Sequence, residues 1–106
     1  MSKSWHRFEI LLPLRFNDGQ PVPDELIVDL LLQLEQRFQA VSTETQRIRG
    51  IWRYQGTRYQ DELVRVFVDT QDSAEVRAFF AQFKETLKTK LQQIDIWMTA
   101  YPIEIL

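Results

Sequence analysis

The feature that most constrains this chain is the stretch from Gln46 to Val68, set between two amphipathic segments. It reads Gln46-Arg47-Ile48-Arg49-Gly50-Ile51-Trp52-Arg53-Tyr54, a Gln55-Gly56 turn, then Tyr59-Gln60-Asp61-Glu62-Leu63-Val64-Arg65-Val66-Phe67-Val68. Two alternating runs joined by a glycine-bearing turn predict a β-hairpin. Its first strand sets Arg47, Arg49 and Arg53 on one face and Ile48 and Trp52 on the other. Leu63 to Val68 is apolar on both faces, as a central strand should be. A hairpin flanked on each side by a helix and a further strand leaves few ways to fold.

Those flanking elements are legible by their periods. Phe8, Ile10, Leu12, Leu14 and Phe16 alternate with Arg7, Glu9 and Arg15, which predicts a half-buried strand from Trp5 to Phe16. Pro13 cannot donate to a ladder and marks a bulge or the end of regular pairing. After the turn cluster Asn17-Asp18-Gly19-Gln20-Pro21, a helix starts near Pro23, with Asp24 and Glu25 in its first turn. Leu26, Ile27, Leu30, Leu31, Leu34, Phe38 and Val41 gather on one face of it, while Val28 and Leu32 lie on its flank. A second helix follows Asp69 to Asp72, capped by Asp72 or Ser73, with Glu75 in capping-box register from Asp72. Val76, Phe79, Phe80, Phe83, Leu87 and Leu91 form its apolar stripe. Alternation returns from Ile94 to Tyr101, with Ile94, Ile96, Met98 and Ala100 opposite Trp97, Thr99 and Tyr101.

The order is β-α-β-β-α-β in a single domain spanning 1–106. Right-handed crossovers then predict an α+β, ferredoxin-like sandwich, with a four-stranded antiparallel sheet and both helices on one face. The first and third strands are central and the second and fourth are edges. The other face is left open. If the most apolar alternation faces the helices, the open face holds Trp5, Arg7, Glu9 and Leu11, then Arg47, Arg49, Ile51 and Arg53. The third strand adds Leu63, Arg65 and Phe67, and the fourth adds Trp97, Thr99 and Tyr101. Trp52 falls on the helix-facing parity.

Several function classes drop out on composition. Net charge is −2, against coating nucleic acid by bulk charge. The chain has no cysteine, which removes thiolate catalysis, disulfides and every cysteine-bearing zinc motif. Its N-terminus has no apolar run of signal-peptide length, and Leu26 to Leu34 is too short to span a bilayer. The expected setting is the cytoplasm, without a membrane.

No motif names a reaction. His6 is the single histidine, and its parity with Phe8 and Ile10 makes it a partly buried strand-end residue. Asp61, Glu62, Asp69 and Asp72 match no calcium loop and read as solvated strand-end and capping charges, so no metal or cofactor is expected. Gly50, inside a strand, points to a bulge or a close approach over Trp52. An RNA-recognition motif shares this topology, but the third strand lacks the glycine and paired aromatics of that signature, and Asp61 and Glu62 repel phosphate. A small enzyme would draw on Arg49, Trp52, Tyr59 and Glu62.

Arg37-Phe38 at the end of the first helix, Arg49-Gly50-Ile51-Trp52, Gly56, Tyr59 and the pair Asp61-Glu62 together resemble a group of small bacterial proteins of unknown function with the same βαββαβ order. The resemblance covers half the chain. It implies the same fold and a structural hairpin, and no activity or catalytic residues.

The reading that follows is a protein-interaction or small-ligand-binding module acting as a homodimer through the open sheet face. Trp5, Leu11, Ile51, Phe67, Trp97 and Tyr101 are its apolar anchors. Arg47, Arg49, Arg53 and Arg65 form a rim or bind carboxylates. A small enzyme with a pocket where sheet meets partner, and a single-stranded RNA-binding module, are the alternatives.

Overall fold

Nine residues alternating toward and away from the core make β1 (Trp5–Pro13), in a computed structural model that describes residues 4–106. Phe8, Ile10 and Leu12 are buried and their odd-numbered neighbours face the other way. The helix α1 (Asp24–Phe38) follows, with Pro23 at its N-cap and Gln39, in the left-handed region at φ 70°, closing its C-terminus. A short β2 (Ser42–Thr43) and β3 (Ile48–Tyr54) precede the long β4 (Thr57–Gln71). Then come α2 (Ala74–Lys90) and β5 (Met98–Pro102). Met1, Ser2 and Lys3 lie outside the described residues.

All pairings are antiparallel, and β4 and β1 are central with β5 on one edge and β2 and β3 on the other. Five strands stand where four are expected because the second strand is interrupted. Thr43 pairs with Val66 and Ile48 with Leu63. Glu44 to Arg47 therefore cover a gap that β4 crosses with Val64 and Arg65 alone, and the surplus bulges out of the ladder. Regular pairing of β1 ends at Pro13, as its missing N–H requires. A small hairpin follows, in which Val22 N donates to Leu14 O at 2.9 Å and Phe16 N to Gln20 O at 2.8 Å.

Helices and sheet enclose one core. Phe80 stacks on Phe8 at 4.5 Å between ring centroids and on Phe38 at 5.2 Å, with Phe79 edge-on to Phe80 at 5.3 Å. Leu30, Leu34, Leu87, Leu91 and Ile96 are almost completely buried around this stack. Ser73, not Asp72, caps α2: its Oγ accepts from Val76 N at 3.1 Å. Asp72 instead holds Arg77 through two hydrogen bonds of 2.9 and 3.0 Å.

The β3–β4 hairpin extends past the core. Pairing of β1 with β4 stops at Leu63; apart from the Glu62 carbonyl, which accepts from Leu14 N at 2.9 Å, Thr57 to Glu62 pair only with β3. Those six residues reach about 20 Å at the rise of a strand. This arm gives the molecule extents of 48 × 30 × 25 Å and a radius of gyration of 14.5 Å, above the about 13 Å of a compact chain this long. Gln55 and Gly56, at φ 49° and 81°, make the two-residue turn that matches strand twist at its tip.

Candidate functional site

Cross-strand partners share a face, so register decides which arm residues join the open side of the sheet. Ile48 pairs with Leu63, Gly50 with Asp61, Trp52 with Tyr59 and Tyr54 with Thr57. These lie on the same side as Arg65 and Phe67, opposite the buried Val66 and Val68. Trp52 thus belongs to the open side, not the helix-facing one. Arg49, Ile51 and Arg53 pair with Glu62, Gln60 and Arg58 on the other side, away from Phe67. The second strand of the hairpin keeps Leu63, Arg65 and Phe67 on the open side as expected, but the orientation of the first strand is inverted. The physical reason is the overhang: no helix lies beneath the arm, so burial does not draw its apolar parity inward.

On the sheet proper, the open face is laced by ion pairs. Arg7 donates two hydrogen bonds to Asp69, at 2.8 and 2.9 Å, and its guanidinium lies 4.2 Å from the Phe67 ring centroid. The Asp69 hydrogen bond holds the Arg7 pKa above its ordinary value, against the opposing effect of burial. Arg65 meets Glu44 at 2.9 Å and Glu9 at 3.5 Å, and the hydrogen bond to Glu44 leads in raising its pKa. The Tyr101 hydroxyl donates to Glu9 at 2.6 Å, which pushes its pKa up. Arg47, on the far side, pairs with Glu62 at 3.1 Å. Trp5, Leu11, Arg65, Phe67, Trp97 and Tyr101 are therefore brought onto one face, and Arg47, Arg49, Ile51 and Arg53 are not. Of the first group Trp97 is the most open, at 67% exposure.

A cleft of about 750 Å³ lies where the arm leaves the sheet. Leu11, Pro13 and Leu63 line it from the sheet; Gly50 to Tyr54, Ile51 and Arg53 included, and Asp61 line it from the arm; Gln93 to Trp97 and Lys88 complete it. Trp52 stacks on Tyr59, with centroids 4.5 Å apart and an 18° interplanar angle, and its indole N–H donates to Asp61 at 2.6 Å. Gly50 is tight against its neighbour: a Cβ there would come within 3.1 Å of Leu63 Cδ1. A close approach is thus the reason for this glycine, with Leu63 as the neighbour.

The opposite wall is fixed by Gln93 and Asp95. Buried Gln93 donates to the carbonyls of Arg15 and Leu91, at 3.1 and 3.0 Å. Partial desolvation works to raise the Asp95 carboxyl, but the Ile96 N–H and then the Lys84 ammonium outweigh it and hold it below the ordinary carboxylate range. Ionised carboxylate, ammonium, indole and aliphatic floor together suit a flat ring carrying a cationic or hydroxyl-bearing arm. Gly50, with Trp52 and Tyr59 of the enzyme set, was the sequence signal toward this cleft. Lys88 and Asp95 come from α2 and the loop after it, and no spacing connects them to the hairpin.

The remaining candidates are placed elsewhere. His6 is half-buried, with Nε2 3.8 Å from Asp72. Of the enzyme set, Trp52 and Tyr59 are together and Arg49 and Glu62 are on the reverse of the arm. Among the described residues, no three His, Asp or Glu side chains are grouped to hold a metal ion. No helix among them is long and apolar enough to cross a membrane.

The fold is shared with known structures. A phage SAM lyase in complex with S-methyl-5'-thioadenosine superposes with a TM-score of 0.72 at 14% identity, over 96% of this chain and 84% of that one. The divalent cation tolerance protein CutA1 of Thermus thermophilus gives 0.61 at 19% identity, over 93% and 84%. CutA1 of Oryza sativa gives 0.63 at 12%, over 97% and 83%. The chain has the ferredoxin-like α+β fold. No protein-family model matches it, and no curated protein matches it by sequence.

Proposed function

We propose that this chain, as one domain, binds a small heteroaromatic ligand in the cleft beside the arm and works in the cytoplasm as a homodimer through the open sheet face. One observation carries the reading: Trp52, held by Tyr59 and Asp61, lines a cleft with an aliphatic floor and a carboxylate from each wall. An adenine thionucleoside fits this chemistry. Its base offers a face to indole, and its ribose hydroxyls offer donors to Asp61 or Asp95. The fold shared with the phage lyase, which holds S-methyl-5'-thioadenosine, supports that ligand class. Exposed Trp97 lies both on the cleft and on the open face, so a second copy packed there would also narrow the cleft.

Calorimetric titration with S-methyl-5'-thioadenosine and with adenosine tests the reading. Saturable binding that is lost in Trp52→Ala supports it, and no heat up to millimolar ligand overturns it. Light scattering behind size exclusion tests the dimer, and a monomer at high concentration removes it. The same fold likeness favours a second reading, an enzyme that cleaves S-adenosylmethionine in this cleft. Chromatography would show S-methyl-5'-thioadenosine accumulating with native protein and not with Asp61→Asn.

A further inference from the structure

The reverse of the arm is a cluster of arginines without partners. Arg49, Arg53 and Arg58 form no ion pair among the described residues, although most other arginines do. Arg53 and Arg58 are direct cross-strand partners, an arrangement that destabilises a ladder when both carry the same charge. Between them and Arg49 stands Ile51, 58% exposed. Glu62 stands opposite Arg49 on this face, but its ion pairs go to Arg47 and Arg15, so among the described residues Arg49, Arg53 and Arg58 are left without a carboxylate.

Several unpaired acids lie together on a different surface, the exposed face of α1. Asp24, Glu25, Asp29 and Glu35 of α1 are exposed and form no ion pair among the described residues. At helical spacing they flank Val28 and Leu32, which are 50% and 43% exposed. One surface is therefore an aliphatic group ringed by arginine, and the other an aliphatic ridge ringed by carboxylate.

We propose that the arginine face of the arm docks on α1 of a second copy of this chain, Ile51 meeting Val28 and Leu32. If each copy gives its arm to the other, the contact is two-fold and each surface is satisfied once. A two-stranded arm about 20 Å long covers about 200 Å² of a partner. Reciprocal exchange then buries about 800 Å² in total, below the standard range of stable complexes. The association is accordingly weak, concentration-dependent and salt-sensitive.

Sedimentation velocity on the full chain, at about 50 mM and about 500 mM salt, tests this with charge swaps. Arg53→Glu with Arg58→Glu, and separately Glu25→Arg with Asp29→Arg, should each remove the salt-sensitive association. Each double reversal should weaken it about tenfold or more. Mixing the two variants should restore it as a mixed complex, because an acidic arm then meets a basic helix. Circular dichroism identical to the native protein shows that either variant is folded. Salt-sensitive association surviving either reversal, or no recovery on mixing, overturns the proposal. If reversal on the arm leaves association unchanged and instead abolishes binding of single-stranded RNA at low salt, the arm serves a polyanion and the proposal also fails. Association that both reversals leave, and that salt does not touch, belongs to the open sheet face and likewise overturns it.

Discussion

The indole of Trp52 and the carboxylate of Asp61 are diagonal neighbours across the β3–β4 ladder, joined by a hydrogen bond of 2.6 Å. Trp52 faces its direct partner Tyr59, and Asp61 faces Gly50. Without that bond the ring could turn about its side-chain torsions and leave the cleft. Replacing Trp52 by Phe keeps an aromatic face on Tyr59 and deletes the donor. Because the pair is only partly buried, the loss should be about 1.5 kcal/mol of stability, the low end for bonds to charged groups. Urea denaturation checks it, and an unchanged midpoint would show that the bond does not stabilise the arm.

Gly50 leaves the gap opposite Asp61 open. Gly50→Ala brings a Cβ within 3.1 Å of Leu63 Cδ1, so the leucine must shift by a few tenths of an ångström. Stability should fall by about 1 kcal/mol or less, since strand propensity rises as the contact tightens. Gly50→Leu should fill the cleft and abolish ligand binding, with circular dichroism preserved. Undiminished binding by that variant would place the ligand elsewhere.

Two carboxylates make the fold acid-sensitive. Asp95, an exposed residue, is lowered by Ile96 N–H and Lys84 against partial desolvation, and Asp72 is lowered chiefly by its hydrogen bonds with Arg77. A folded pKa below the unfolded value, near 3.9, gives stability that is complete above about pH 4 and is lost as pH falls through the lowered value. Denaturation midpoints measured from pH 6 to pH 2 should therefore decline below pH 4. The double variant Arg77→Met, Lys84→Met should decline less. Parallel curves for the two proteins would contradict the assignment.

Phe80 of α2 joins three elements, stacked on Phe8 of β1 and on Phe38 of α1. It is 3% exposed. Truncation to Ala should cost about 3–5 kcal/mol, a large share of the stability of a domain this size. Thermal melting is the check, and a loss under about 1 kcal/mol would mean that the stack closes over the gap.

Ser73→Ala tests which residue starts α2. The two candidates differ by one position in sequence, and only the hydrogen bond from Val76 N to Ser73 Oγ separates them. Loss of the cap should cost about 1 kcal/mol. Circular dichroism during urea titration would show it, and an unaltered midpoint would leave the capping role unsupported.

Periodicity made the element order, both helical stripes and the central place of β1 and β4 readable, because each period reports one buried face. Phe8, Ile10 and Leu12, or Phe80, Phe83 and Leu87, can be buried together in only one way. The arm escaped that logic. Ile48 and Trp52 alternate with Arg49 and Arg53 just as core and surface residues do, yet no helix lies beneath them. Their orientation follows from pairing with Leu63 and Tyr59 and from the turn at Gln55 and Gly56. The break between Thr43 and Ile48 has a similar cause, since a bulge depends on what β4 presents opposite it. The cleft was the least legible feature, because Trp52, Pro13, Lys88 and Asp95 come from four segments. Sequence by itself determined which residues are buried and in what order the elements run, since burial is written in local spacing. Tertiary structure alone decided which side of the sheet Trp52 takes and what stands across from it, because distant segments meet only once the chain has folded.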